Sequence, residues 1–212
     1  MANRISRDEM KTVFATKYWR EDWEKIEFGG LTRKMQAIGY PFDNSLVVGN
    51  NGSPKTIRLQ NHIDTIREEV QEFFNLKDMN NYASGELASI YLAKEYDYLC
   101  YVQGDCITTG GDFVTPAIKI LESEPNVFVV SPSSDVNTWH NEDGYDHYMS
   151  DQAFVIRVKD FLNPKVYAVS GLNPDYPDYG GNSFEAMVGK YLVSSKKTRK
   201  ILNDFYVVHP AY

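Results

Sequence analysis

The chain has 212 residues, of which 42% are hydrophobic and 14% aromatic, and a formal net charge of −7. That apolar content suffices for one sizeable core and excludes disorder. The acidic balance excludes a broad surface for the phosphates of DNA or RNA. No stretch approaches the roughly 20 apolar residues of a membrane span. The N-terminal MANRISRDEMK lacks an apolar signal core. The two cysteines, Cys100 and Cys106, sit on or beside one predicted strand and cannot staple distant parts together. Reduced thiols in a soluble, cytoplasmic protein are therefore expected.

Thr12–Thr16 reads as a first strand, and Tyr18, Trp19, Trp23 and Ile26 recur at roughly helical spacing. Leu31–Ile38 reads as a short helix stopped by Gly39. Ser45–Gly49 is a buried strand that ends in the loop-forming Asn50-Asn51-Gly52-Ser53-Pro54. Ile63, Ile66, Val70, Phe73 and Phe74 make one stripe of an amphipathic helix. Asn80-Asn81 caps the next, whose apolar face is Ala83, Leu87, Ile90 and Tyr91.

Tyr98–Val102 is apolar throughout, as a strand buried on both faces requires. It ends abruptly in Gln103-Gly104-Asp105. Ligands of open α/β sheets bind where strands end, and an acid there is placed to hold a divalent cation against a phosphate. Thr115-Pro116 reads as an N-cap followed by proline at the first helical position. Val127–Val130 is the next strand, and Ser131–Ser150 a long polar and aromatic segment containing Trp139, His140, His147 and Tyr148. Ala153–Val158 is a strand and Asn173–Gly181 a loop. Phe184, Met187, Val188, Tyr191 and Leu192 form a helical stripe. The basic run Lys196–Lys200 reads as a solvated helix end, and Phe205–Val208 as a last strand before His209-Pro210.

Strands and helices alternate over residues 1–130, which implies parallel strands with right-handed crossovers. Residues 131–212 are less regular, and no linker divides the two halves. The expected fold is α/β, a single domain over 1–212 with a mixed, mostly parallel sheet flanked by helices.

Four segments resemble the GT-A, Rossmann-like class of nucleotide-sugar-dependent glycosyltransferases. Leu46–Ser53 (LVVGNNGS) resembles its second strand and nucleotide-facing turn, and ASGELASIYLAKEYDYLCYVQGDC the approach to its Asp-x-Asp metal motif. Ser150–Phe161 (SDQAFVIRVKDF) is similar to its acceptor-side strand and helix, and Tyr179–Leu192 (YGGNSFEAMVGKYL) to the segment where many members carry an acid. The chain departs from the family at the metal motif, where Gln103 replaces the first acid.

The resemblance implies a metal-dependent, hexosyltransferase-like glycosyltransferase. It implies a nucleotide-binding half over 1–130 and an acceptor-side half over 131–212. The donor is a nucleoside-diphosphate sugar such as a UDP-sugar. The acceptor hydroxyl belongs to a saccharide, a lipid carrier, a protein or a modified nucleic acid. Mn²⁺ or Mg²⁺ would be held by Asp105 and His209. Thr16, Asn50, Asn51, Gln103 and Gly104 would contact the nucleotide or sugar, and Trp139, His140 and Tyr148 would wall the acceptor. Glu185 is the first candidate for general base and Asp151 the second. With Asn182 as N-cap, Glu185 would instead close a capping box.

Two other readings stand beside this one. A sugar-phosphate nucleotidyltransferase shares the layout and the metal, but usually opens on a Gly-rich loop that TKYWREDW lacks. A non-catalytic α/β binding domain would use Asp105 only to end a strand. Walker, Gly-x-Gly-x-x-Gly and nucleophile-elbow motifs are absent, and the His140–His147 spacing matches no metal motif.

Overall fold

Alternation along the first strand sets the two faces of the sheet. In β1 (Thr12–Tyr18), Val13 and Ala15 join one apolar cluster and Phe14 the other. The structure, a computed structural model, describes residues 10–18, 29–49, 61–76, 81–134, 145–146, 149–168 and 183–208. Its further strands are β2 (Asn44–Gly49), β3 (Asn61–His62), β4 (Tyr98–Val102), β5 (Ile107–Thr109), β6 (Val127–Ser134), β7 (Tyr145–Asp146), β8 (Ala153–Arg157) and β9 (Thr198–Val208). The helices are α1 (Gly29–Ile38), α2 (Ile63–Phe74), α3 (Asn81–Leu92), α4 (Val114–Ser123), α5 (Val158–Phe161) and α6 (Phe184–Ser195).

All nine strands among the described residues form one mixed sheet, in the order β3-β2-β1-β4-β8-β6-β9-β5, with β7 paired to β9. It is parallel from β3 to β4, as the alternation requires. β8 then inserts antiparallel between β4 and β6, so those two strands share a direction without pairing. β6 and β9 are parallel. One face packs on α2, α3 and α6 through Val70, Phe74, Leu87, Ile90, Phe184, Met187 and Leu192. The other packs on α1 and α4 through Ile38, Val114, Ala117 and Leu121.

Several elements depart from their sequence reading. Tyr18 ends β1 instead of opening a helix, and residues 19–28 lie outside the described residues. The acceptor at the start of α4 is Asp112, which takes hydrogen bonds from Val114 N and Thr115 N at 3.0 and 2.9 Å; Thr115 is already inside the first turn. β6 continues through Ser131–Ser134, carrying Pro132 at a register shift, where a ladder donor is not needed.

Only the first residue of the basic run is a solvated helix end. Lys196 closes α6 in a left-handed conformation, Thr198–Lys200 opens β9, and Arg199 is 1% exposed. The sheet claims these residues because β9 pairs with both β6 and β7 there. Both cysteines are free and buried. No helix among the described residues is long and apolar enough to cross a membrane.

Candidate active site

Strand order explains where the chemistry-bearing residues collect. From β1 the chain moves outward to β2 and β3, then crosses back to β4. The gap between the ends of β1 and β4 is thus a topological switch point, where open α/β sheets take ligands. β8 begins at the same end, Ala153 pairing with Val102.

The segment after β4 closes as a turn, Cys106 N donating to Gln103 O at 3.1 Å. It is held from three sides. Gln103 N donates to Gln152 O, ahead of β8, and Gly104 N to Lys17 O on β1, each at 2.8 Å. From α1, Lys34 Nζ donates to Gln103 O at 3.2 Å and also to Cys106 O. Burial pushes the Lys34 ammonium below its ordinary value, against the opposing pull of Cys106 and Asp105. Asp105 sits within this turn and is partly exposed.

Beside the turn lies a buried ion pair. Lys17 is 1% exposed and Glu86 fully buried, with Nζ and Oε1 2.8 Å apart. Tyr101 donates its hydroxyl to the same Oε1 at 2.6 Å. The other oxygen, Oε2, is buried with no hydrogen-bond partner among the described residues. Burial would lower the Lys17 pKa, but the charges of Glu86, Asp151 and Asp105 outweigh it and hold the ammonium above its ordinary value.

Gly85 makes room for the lysine stem: a Cβ there would lie 2.0 Å from Lys17 Cδ and 2.6 Å from Cγ. Gly85→Ala must therefore push Lys17 off Glu86. Thermal denaturation is expected to show a loss of about 1–3 kcal/mol, the usual cost of overpacking. An unchanged melting temperature would mean that the lysine is not packed on α3.

Two further acids meet at the start of α6. Ser183 is the N-cap, its Oγ accepting from Ala186 N at 3.2 Å. Glu185 is consequently second in the helix, and Asn182, the other cap candidate, lies outside the described residues. Glu185 Oε1 accepts from Asp151 N at 2.9 Å, and the two carboxyl groups hydrogen-bond to one another. Both residues keep some surface open although their carboxyl groups are packed among protein atoms. Burial, then the negative charge of Glu86, push Asp151 up to about 6, while Lys17 and the bond from Glu185 oppose the rise. Burial, then the charge of Asp151, push Glu185 well above the usual carboxylate range. The two acids therefore titrate as one coupled pair, and burial together with their mutual charge holds both above the usual carboxylate range.

The structure thus brings Gln103, Gly104, Asp105, Asp151 and Glu185 to one end of the sheet. Thr16 is there too, on the face of Phe14; it is fully buried, and its Oγ1 has no partner among the described residues. Asn50, Asn51 and His209 lie outside the described residues, as do Trp139, His140 and Tyr148. Val208 pairs with Ile107, so β9 ends beside the strand that follows Asp105. Among the described residues no three His, Cys, Asp or Glu groups cluster as a ready metal cage.

No protein-family profile and no curated protein matches the sequence. Solved structures do. GalNAc-T7 with UDP, GalNAc and Mn²⁺ superposes with a TM-score of 0.54 at 9% identity, over 94% of this chain and 44% of its own. Glucosyl-3-phosphoglycerate synthase from Mycobacterium tuberculosis, in complex with Mg²⁺ and UDP, does so with a TM-score of 0.52 at 8% identity, over 97% of this chain and 73% of its own. The chain has the GT-A glycosyltransferase fold. It spans less than half the length of the first of these GT-A proteins, and at such identity the likeness is one of architecture.

Three charged residues of this site are marked by no chemical motif in the sequence: Lys17, Glu86 and Lys34. Each carried a signal. Lys17 continues the Val13–Ala15 register of β1, Glu86 falls inside the Ala83–Leu87–Ile90 stripe, and Lys34 inside the Leu31–Met35–Ile38 stripe. A charge on a buried stripe demands a partner, and both lysines have one.

Proposed function

We propose that the protein is a glycosyltransferase that moves a sugar from a nucleoside-diphosphate donor to an acceptor hydroxyl with divalent-metal assistance. The observation that carries this reading is the turn at the switch point, which presents Asp105 at the same end of the sheet as the Asp151–Glu185 acid pair. The residues fit an ion of the Mg²⁺ or Mn²⁺ type. Asp105 offers a partly exposed carboxylate, and such ions need only one or two from the protein when phosphates and water complete the shell. His209 is its proposed partner, because β9 ends beside β5, just past Asp105. When bound, the cation would neutralise charge developing on the departing diphosphate.

Asp151 takes the role of general base. It is ionised above pH about 6 and can accept the acceptor's proton as the glycosidic bond forms. Glu185, which burial holds well above the usual carboxylate range, orients that base through its bonds to the Asp151 backbone and side chain. Gln103 and Gly104 line the donor side, and Thr16 holds a hydroxyl in reserve there. Asn50 and Asn51 are assigned to the nucleotide by the resemblance alone. The acceptor is a saccharide, a lipid carrier, a protein or a modified nucleic acid.

Thermal shift against UDP, GDP and CMP, with and without Mn²⁺, tests the reading. One diphosphate is expected to stabilise the protein only with Mn²⁺, by about 2.7 kcal/mol at a hundred times its dissociation constant. Asp105→Ala is expected to lose that response while keeping its own melting temperature. A protein indifferent to all three nucleotides would sink the proposal.

A further inference from the structure

The turn that carries Asp105 has one feature that strand order and turn chemistry do not require. A lysine from a different layer, Lys34 on α1, reaches the carbonyls at both ends of that turn, Gln103 O and Cys106 O. Any small polar group could satisfy one of these oxygens. Bridging both from a helix takes a long side chain with more than one donor, and here it keeps an ammonium largely buried. Leu31, Met35 and Ile38, the neighbours on its stripe, pack into the core and fix the helix from which it reaches.

This arrangement bears on the missing acid of the metal motif. With Gln103 in place of the first carboxylate, cation affinity rests on fewer charged ligands. Affinity then depends more on how little entropy the remaining ligand loses on binding. The backbone on either side of Asp105 is already pinned by Gly104 N to Lys17 O and Gln103 N to Gln152 O. Those two bonds hold the start of the turn. Cys106 N to Gln103 O closes the turn through the backbone, and Lys34 adds a side-chain tie across the same two ends from α1. It also brings a positive charge into the mouth where a diphosphate would lie.

We propose that Lys34 is a positioning residue for metal-diphosphate binding: it clamps the Gln103–Cys106 turn so that Asp105 is preorganised as a ligand. The proposal rests on the reading of Asp105 as a metal ligand. It assigns to α1 a role in the donor site that neither the metal motif nor the strand ends contain.

The test is Mn²⁺ binding in the presence of UDP, followed by titration calorimetry on the intact chain, for wild type, Lys34→Met and Lys34→Arg. Lys34→Met keeps the apolar stem and removes the clamp. Its Mn²⁺ affinity is expected to fall about 10- to 100-fold, the usual result of losing a residue that orients a metal ligand. Lys34→Arg retains the charge and the donors and is expected to recover to within a few-fold of wild type. In transfer or donor-hydrolysis assays, Lys34→Met should need more Mn²⁺ for half-maximal rate while approaching wild-type kcat at saturation. A merely destabilised fold would not produce that split. Wild-type Mn²⁺ affinity in Lys34→Met overturns the proposal while leaving the reading of Asp105 intact. Absence of Mn²⁺–UDP binding in the wild type overturns that reading and the proposal with it.

Discussion

Lys17→Met is expected to destabilise the protein by about 3–5 kcal/mol, the cost of removing one partner from a buried ion pair. For a domain of this size that is a fall in melting temperature on the order of 10 °C. The lysine itself is a small part of the loss. Glu86 is fully buried, one of its oxygens has no hydrogen bond among the described residues, and the other is shared by Lys17 and Tyr101. Without the ammonium, a carboxylate would remain in the core facing Asp151 and Asp105 with no cation against it. Lys17→Met combined with Glu86→Gln is expected to regain most of the stability. The amide is neutral, and its oxygen still accepts from Tyr101. A double variant as unstable as the single one would show that the lysine works through its packing on Gly85 and not through its charge. Calorimetric or denaturant unfolding of the four proteins in this cycle measures the coupling directly.

The same residues show what the sequence makes legible and what it hides. The sheet's first half was readable because local signals agree. Apolar runs at Ser45–Gly49 and Tyr98–Val102 are separated by helices with clean stripes, which leaves few topologies. The position of Asp105 at the sheet's end was readable for a related reason: an acid three residues past a buried strand falls at that strand's mouth. The insertion of β8 between β4 and β6 was not readable. Ala153–Arg157 is buried on both faces and looks the same whether its neighbours run parallel or antiparallel.

The basic run misleads for the opposite reason. Its charges suggest water, but two neighbouring strands draw Arg199 into the sheet, and tertiary pairing overrides composition. Charged residues on apolar stripes were passed over because a stripe is read by its apolar members. Lys17, Glu86 and Lys34 occupy such positions, and their partners lie on other elements, beyond the reach of local pattern. The Asp151–Glu185 contact is of that kind too, joining a residue ahead of β8 to the second residue of α6.

Asp151→Asn is expected to lower kcat/KM by about 10²–10⁴-fold, the span associated with losing a general base. The wild-type profile should rise through pH about 6, where Asp151 loses its proton, and the asparagine variant should lack that limb. Stability should move the other way. Folding raises the Asp151 pKa from 3.8 to about 6, so the folded state binds more protons than the unfolded chain between those values. The contribution of this group is therefore greatest below pH about 4 and is lost as pH rises through about 6, leaving a buried negative charge that opposes folding at neutral pH. Asparagine removes that charge, and Asp151→Asn should melt higher than wild type at pH 7–8 but gain little near pH 4. Glu185→Gln separates the two acids. A glutamine can accept from Asp151 N as Glu185 does and can donate to the Asp151 carboxylate, so it should keep most of the activity. A Glu185→Gln enzyme as inactive as Asp151→Asn would transfer the base role to Glu185. Higher stability with lost turnover in Asp151→Asn is the behaviour of a charge kept in the fold for its chemistry, since a purely structural acid would lose stability when neutralised.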